Sequence, residues 1–223
     1  MTNSTHVVVL SGEGQHSDPW HPLQETSAAL AGVLGEENEV TVVTSLDDLG
    51  ARIGSADVLA VNASADRAEP VPDDTAFGRL LDGFLGRGGG LLAMHSSAVA
   101  FPGLPAWRSA LGGTWKPGTS FHPPIGRTLI RKSALPHPLT EGLDEFWIFD
   151  ERYTDLDFEP DVRLSPLYTH TENGATHRLV WTRTVGESRV LYDALGHDVR
   201  SFEAPEHVEL LRRAVRWLSP RRS

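Results

Sequence analysis

The stretch GGGLLAMHSSAVAFPG, residues 88–103, has the pattern of a short buried strand that runs into a tight turn. In α/β proteins such a turn presents one side chain at the edge of the sheet, often an enzyme's nucleophile. The residues two before and two after the apex must be small, because the strained backbone brings them together. Ala93 and Ser97 flank His95 in this way, whereas Ser96 and Ser97 each have one bulky flanking residue. The pattern favours His95 at the apex over a serine hydrolase that uses Ser96 or Ser97.

The segments before this turn predict an α/β protein. Apolar runs at residues 6–10, 40–43 and 58–61 predict buried strands. A helix is expected to begin near Leu23, and apolar residues at helical spacing over 77–85 predict another. Strands that alternate with helices through short connections predict a doubly wound, mainly parallel sheet. Ligands bind to such a sheet at the carboxyl ends of its strands.

The sequence changes in character after about residue 115. Short apolar runs separated by turns predict extra C-terminal strands at 128–131, 146–149, 162–164, 179–181 and 190–192. We expect them to extend the sheet or to pack beside it. Apolar positions 208, 211, 215 and 218 predict a final amphipathic helix that docks on the sheet. No linker divides the chain, so we predict one domain over residues 1–223.

Composition limits the partners and the chemistry. The chain has 30 acidic and 20 basic residues and a formal charge of -10, which disfavours nucleic acid and anionic membranes as partners. It contains no cysteine, so disulfides, thiolate metal sites and cysteine nucleophiles are excluded. The first apolar run is too short for a signal peptide or a membrane span, so we expect a cytoplasmic protein. A homodimer is the expected assembly.

Several polar side chains follow predicted strands and should meet at one edge of the sheet. His197 follows the strand at 190–192, and Glu151 follows the strand at 146–149. With His95 they supply two imidazole nitrogens and one carboxylate. That set suits a divalent metal such as Zn²⁺, or a general acid and base with an orienting carboxylate.

The simpler interpretation of each of these residues is structural. Taken alone, His197 is a loop histidine, and His95 could merely end its strand and hydrogen-bond a loop carbonyl. His16 and His21 lie on the loop after the first strand, and their spacing is not diagnostic of a metal site. His122 lies beside prolines in a predicted loop.

Six motifs in order resemble the ThuA-like (trehalose utilisation) domain family over nearly the whole chain. They are GRGGGLLAMHSS, WRSALGGTWKPGTSFHP, HPLTEGL, DERY, VWTR and SRVLYDALGHD, before a closing helix that ends in RWL. The resemblance implies a flavodoxin-like fold, similar to class I glutamine amidotransferase domains. In working amidotransferases the apex carries the catalytic cysteine, whose place His95 takes here, while His197 lies where the partner histidine is expected. Without a thiolate, glutamine hydrolysis through a thioester is excluded.

The resemblance also bears on metal ligands. The family's first-loop histidine would be supplied by His16 or His21, and we name His16 as a candidate metal ligand beside His95 and His197. The family continues the apex with small residues and an acid, as in HAATD, whereas this chain has HSSAV. An acid expected near Val99 is therefore missing.

The family's association with carbohydrate metabolism implies an enzyme that acts on a sugar or keto-sugar derivative. We expect metal-assisted or His/Glu acid–base chemistry by His95, His197 and Glu151, in which Glu151 moves a proton. The reaction could be hydrolysis, elimination or isomerisation. The candidate sugar contacts are Trp20, Trp115, Tyr153 and Ser96. The alternative is a non-catalytic sugar-binding or interaction module on a degenerate amidotransferase scaffold.

Overall fold

The computed structural model describes residues 4–220. The strands are β1 (His6–Ser11), β2 (Glu39–Val43), β3 (Val58–Asn62), β4 (Gly90–Met94), β5 (Gly113–Thr114), β6 (Gly126–Lys132), β7 (Phe146–Asp150), β8 (Asp157–Phe158), β9 (Ser165–Glu172), β10 (Ala175–Val185) and β11 (Ser188–Asp193). The α-helices are α1 (Leu23–Gly35), α2 (Leu46–Arg52), α3 (Pro72–Gly86), α4 (Pro105–Leu111) and α5 (Pro205–Leu218).

Within the described residues, nine strands form one sheet in the order β2-β1-β3-β4-β11-β10-β9-β6-β7. The pairings from β2 to β11 are parallel. Those from β11 to β7 are antiparallel. The order β2-β1-β3-β4-β11 is the flavodoxin-like one. The predicted doubly wound α/β fold is confirmed, and the extra C-terminal strands extend the same sheet. Strands β5 and β8 form a separate antiparallel pair.

Helices cover the parallel strands in two groups. Helices α1 and α5 contact each other, α1 lies on β1 and β2, and α5 lies on β4 and β11. Helix α3 contacts both α2 and α4. Strands covered on both faces read as continuous apolar runs, which is why Val7, Val8 and Val9 are all fully buried. Burying one such side chain contributes about 1.5–3 kcal/mol.

Close packing against α5 explains one glycine before the apex turn. A Cβ on Gly90 would lie 2.4 Å from the carbonyl oxygen of Leu218, the last residue of α5. Any side chain there would push the helix end away from β4. Because Gly90 has no side chain, α5 can dock on the sheet, as the apolar positions of this helix predict.

One predicted strand is wrong. Residues 162–164 lie in an irregular segment between β8 and β9. The apolar side chains of Val162 and Leu164 instead pack close over Gly112, which ends α4 with φ +74°. The alternation of apolar and polar residues over 162–164 therefore reflects packing against the end of α4.

No helix among residues 4–220 is both long and apolar enough to cross a bilayer. The cytoplasmic location stays a prediction from the sequence.

Candidate functional site

Four polar side chains meet at the carboxyl ends of the strands. His95 directly follows β4, and His197 lies four residues after β11. His21 lies on the loop between β1 and α1. Glu151 comes from the antiparallel half, directly after β7. One ligand atom from each residue lies within 4.8 Å of the other three.

His95 occupies the strained apex. Its φ is +36°, a left-handed value that non-glycine residues adopt at an energetic cost and that clusters at functional sites. The ring is buried, and Nδ1 donates to the carbonyl of Ala194 at 2.6 Å. The expected hydrogen bond to a loop carbonyl therefore exists, but it uses only one ring nitrogen. Nε2 faces Glu151, 3.5 Å from its Oε2.

An aspartate fixes the orientation of His21. The Nδ1 atom of His21 lies 2.7 Å from Oδ2 of Asp18. Asp18 also accepts from the hydroxyl of Ser64 and from two backbone N–H groups. Burial raises the pKa of Asp18, but these hydrogen bonds outweigh it and hold the pKa well below its usual range. The ionised carboxylate therefore keeps the proton on Nδ1 and leaves Nε2 of His21 toward the cluster.

A second buried aspartate holds the loop of His197 and the residue after β7 together. Asp150 accepts from the backbone N–H groups of Gly196 at 2.9 Å, His197 at 3.2 Å and Glu151 at 2.8 Å. The Nδ1 atom of His197 lies 3.2 Å from Oε2 of Glu151. Asp150 thus couples the parallel half of the sheet to the antiparallel half at the site.

Charge in the cluster is concentrated on Glu151. Burial raises its pKa, but His197 and His95 outweigh this effect and hold the pKa well below the usual range of a glutamate. Burial lowers the pKa of His197, while Glu151 raises it above the usual value. For His21 burial dominates, and its pKa is lowered.

Two buried ring nitrogens of the cluster face the carboxylate of Glu151, at 3.5 Å for His95 and 3.2 Å for His197, without a well-aligned hydrogen bond. Among the described residues, Nε2 of His95 and Nδ1 of His197 have no hydrogen-bond partner. Both nitrogens therefore have room for an electron-pair acceptor beside Glu151. Three imidazoles and a carboxylate are a donor set that Zn²⁺ binds in proteins. The cluster could hold a divalent metal ion.

A cavity of about 930 Å³ opens onto the cluster and is lined by His21, Glu151 and His197. The predicted aromatic contacts Trp20, Trp115 and Tyr153 also line it. Trp20 is 62% exposed, whereas Tyr153 is buried with its ring centroid 4.3 Å from that of His95. Burial raises the pKa of Tyr153 well above its usual value, so its hydroxyl stays protonated.

Two residues named from the sequence lie elsewhere. Ser96 is fully buried and donates to the carbonyl of Ala63 at 3.1 Å, so it is not available as a sugar contact. His16 ends a short 3-10 turn that directs its ring toward the start of α3, with its nitrogens 4.0 and 3.9 Å from Asp73 and Asp74. The histidine that joins the cluster from this loop is His21.

Sequence reasoning missed three polar side chains around the cluster. Asp18 and Asp150 orient its members as described. His122, expected to be a turn residue, has Nδ1 3.5 Å from Oε1 of Glu151. The available signals were local: Asp18 precedes His21 by three residues, and Asp150 is the neighbour of Glu151.

The comparisons with known proteins agree on the fold. A ThuA-like protein of Parabacteroides merdae superposes with a TM-score of 0.80 at 17% identity, over 97% of this chain and 90% of that one. A ThuA-like protein of Bacteroides uniformis gives 0.73 at 16% identity, over 96% and 91%. A glutamine amidotransferase of Methylobacillus flagellatus gives 0.58 at 12% identity, over 99% and 96%.

None of the curated proteins compared with the chain is significantly similar to it in sequence. The family model described as ThuA, trehalose utilisation, matches residues 6–218. The chain therefore belongs to the ThuA family, whose description indicates a general carbohydrate-related role.

Proposed function

We propose that this protein is a metal-dependent enzyme that acts on a sugar or keto-sugar derivative. The observation that carries the proposal is the convergence of His21, His95, Glu151 and His197, whose ligand atoms lie within 4.8 Å of one another. Within the described part of the chain, Nε2 of His95 and Nδ1 of His197 both face Glu151 and make no hydrogen bond. The carbohydrate substrate is inferred from the family.

The hydrogen bonds around the cluster support a metal such as Zn²⁺. A metal-bound histidine donates its other ring N–H to a carboxylate or a backbone carbonyl, which fixes the tautomer. His21 does so to Asp18, and His95 does so to Ala194. The rings of His21 and His95 are thus each held with Nε2 unprotonated and directed at the other members of the cluster.

Three of the four residues suffice as ligands. A catalytic zinc has three protein ligands and an open position, so we assign His21, His95 and His197 as ligands. Glu151 is then free to move a proton. The bound metal would polarise a carbonyl or hydroxyl of the sugar. The hydroxyl of Tyr153 lies 3.4 Å from Nε2 of His21, so it would turn from this nitrogen to the sugar once a metal is bound. Trp20 and Trp115 offer aromatic faces to a sugar ring.

Elemental analysis of untagged protein tests this proposal. We expect about one equivalent of metal in the native protein, and its loss in His21→Ala, His95→Ala and His197→Ala. His16→Ala is the matched control, because His16 comes from the same loop as His21 and lies outside the cluster. That variant should keep the metal.

The same protein is then assayed for turnover of trehalose and of 3-keto glycosides. Turnover that disappears with the metal supports the enzyme. Metal-free protein that binds sugars and turns over none of them would contradict it and would favour a sugar-binding module.

A further inference from the structure

The cavity beside the cluster offers no unpaired arginine or lysine to an anionic substrate. Among the described residues that line it, the arginines are Arg67 and Arg108. Arg67 donates to both carboxylate oxygens of Asp74, at 2.8 and 2.7 Å. Arg108 donates to Asp157 at 2.8 Å and also to Glu159. A phosphate or carboxylate on a substrate would have to displace one of these side chains to reach a guanidinium group.

One wall of the same cavity is a continuous apolar segment. Residues 98–105 have the sequence AVAFPGLP, and every one of them lines the cavity. We call this segment the apolar wall. Its side chains carry no charge and no hydrogen-bonding group, so the favourable contact it offers a ligand is the burial of apolar surface.

The apolar wall is held in a defined shape. Phe101 has φ +54°, and its ring stacks on that of Phe77 with centroids 3.7 Å apart and planes 3° apart. A bulky residue keeps a left-handed conformation only where its surroundings enforce it, and such residues are concentrated in binding and active sites. Trp107 ties the following helix to the apex turn through a hydrogen bond of 2.9 Å from Nε1 to the carbonyl of Ser97. The wall is thus a preformed surface.

The volume of the cavity exceeds what one sugar ring needs. At about 930 Å³ it lies near the upper end of the roughly 300–1,000 Å³ range of small-molecule sites. A hexose placed against His21, Glu151 and His197 leaves room for a second group. The apolar wall defines the chemistry of that group.

We propose that the cavity takes an uncharged glycoside with an apolar aglycone. The sugar faces the histidine–glutamate cluster, and an alkyl or aryl aglycone lies on the apolar wall. The position of the sugar rests on the proposed function. The preference for an apolar and uncharged substrate rests on the wall and on the paired arginines.

Isothermal titration calorimetry of the untagged protein with n-alkyl glucosides, from methyl to hexyl and in both anomeric forms, tests this. We expect the Kd for the preferred anomer to fall about fourfold with each added methylene, the gain typical of burying one such group. Hexanol alone should bind more weakly than hexyl glucoside, and hexyl glucuronide, which adds a carboxylate, should also bind more weakly. Affinity independent of chain length, or tighter binding of the glucuronide, would overturn the proposal.

Val99 provides a variant in the wall, since its side chain is half-buried and lines the cavity. In Val99→Asp, the Kd should hardly change with each added methylene. In the nearly isosteric Val99→Thr, the change in Kd per methylene should be reduced only partly. Leu135→Asp is the control, because Leu135 is 59% exposed and does not line the cavity. An unchanged gain in both Val99 variants would contradict the role of the wall.

Metal content, measured on the same samples, separates this inference from the proposed function. Stoichiometric metal with no dependence on chain length overturns the aglycone proposal alone. Binding that depends on chain length in a protein without metal supports the aglycone proposal and overturns the metal-dependent enzyme.

Discussion

Two buried histidines of the fold each lie beside a carboxylate. We call His207 with Asp193 the structural pair and His95 with Glu151 the reactive pair. His207 on α5 is fully buried, with Nε2 2.9 Å from Oδ2 of Asp193 and Nδ1 2.9 Å from the carbonyl of Ser201. His95 is equally buried, but only its Nδ1 makes a hydrogen bond, and its Nε2 lies 3.5 Å from Oε2 of Glu151.

The distance from each ring to its carboxylate distinguishes the two histidines. Nε2 of His207 lies 2.9 Å from Oδ2 of Asp193, whereas Nε2 of His95 lies 3.5 Å from Oε2 of Glu151. Both neighbours of His207 are acceptors, so its two nitrogens must both donate, and burial, which lowers its pKa, is outweighed by Asp193, which raises it. The ring of His95 makes one hydrogen bond, from Nδ1 to the carbonyl of Ala194. Every nitrogen of the structural histidine is used within the fold, whereas the reactive histidine keeps one for a ligand.

The largest effect is expected at the carboxylate of the reactive pair. Glu151→Gln removes the proposed base and should lower turnover by roughly 10²–10⁴-fold, because general acid–base catalysis contributes that much. Metal content should stay near that of the native protein, since the three histidines are the assigned ligands. Loss of metal together with turnover would make Glu151 a ligand and contradict its role as the base. Steady-state kinetics and elemental analysis on one preparation decide whether Glu151 is the base or a metal ligand.

The structural pair should respond in stability instead. His207→Ala leaves Asp193 buried without its counter-charge, and breaking a buried ion pair in this way costs about 3–5 kcal/mol. Urea denaturation of His207→Ala and of His95→Ala should show the larger loss for His207→Ala. Adding Asp193→Asn to His207→Ala should recover part of it. Equal losses in the two single variants would remove the distinction between the pairs.

The aspartate behind His21 should act on metal affinity. Asp18→Asn weakens the hydrogen bond that orients the ring, and changes of this kind typically cost 10–100-fold in metal affinity. Competition with a chelator measures the effect. Asp73→Asn is the control, because Asp73 lies beside His16 outside the cluster. An Asp18→Asn protein that binds metal as tightly as the native one would argue against His21 as a ligand.

The smallest expected effect is the pH dependence of the stability that the structural pair, His207 and Asp193, contributes. The pKa of His207 is raised, so its contribution to stability is complete below the ordinary histidine pKa and is lost as pH rises through the folded-state pKa. The neutral ring keeps one of its two donated hydrogen bonds, so we expect a loss of about 0.5–1.5 kcal/mol. The stability difference between native protein and His207→Gln should narrow accordingly as pH rises. A difference that widens would show that the charged ring is not the stabilising form.

The parts of the fold that followed from sequence are those built from local patterns. The strands β1, β3 and β4 are continuous apolar runs because both faces of the sheet are covered. His95 could be placed at the apex because Ala93 and Ser97 on either side of it are small, and its φ of +36° agrees with a strained turn. The doubly wound, mainly parallel character of the sheet followed from the short connections between alternating strands and helices.

The parts that could not be predicted depend on contacts between distant residues. Asp150 and the N–H of Gly196 are 46 residues apart, and no local pattern reveals their hydrogen bond. The choice between His16 and His21 depended on a turn in which Gly14 has φ +56°. Ser96 was named from its place beside the apex, but the turn directs its hydroxyl to a main-chain carbonyl.

X-ray absorption spectroscopy at the zinc edge, on untagged protein supplied with one equivalent of Zn²⁺, tests the central claim most directly. The account predicts a four-coordinate ion with three imidazole nitrogens at about 2.0–2.1 Å, reduced by one imidazole in His95→Ala and unchanged in His16→Ala. A protein that retains no zinc after dialysis, or a spectrum that is the same in His95→Ala as in the native protein, would contradict it.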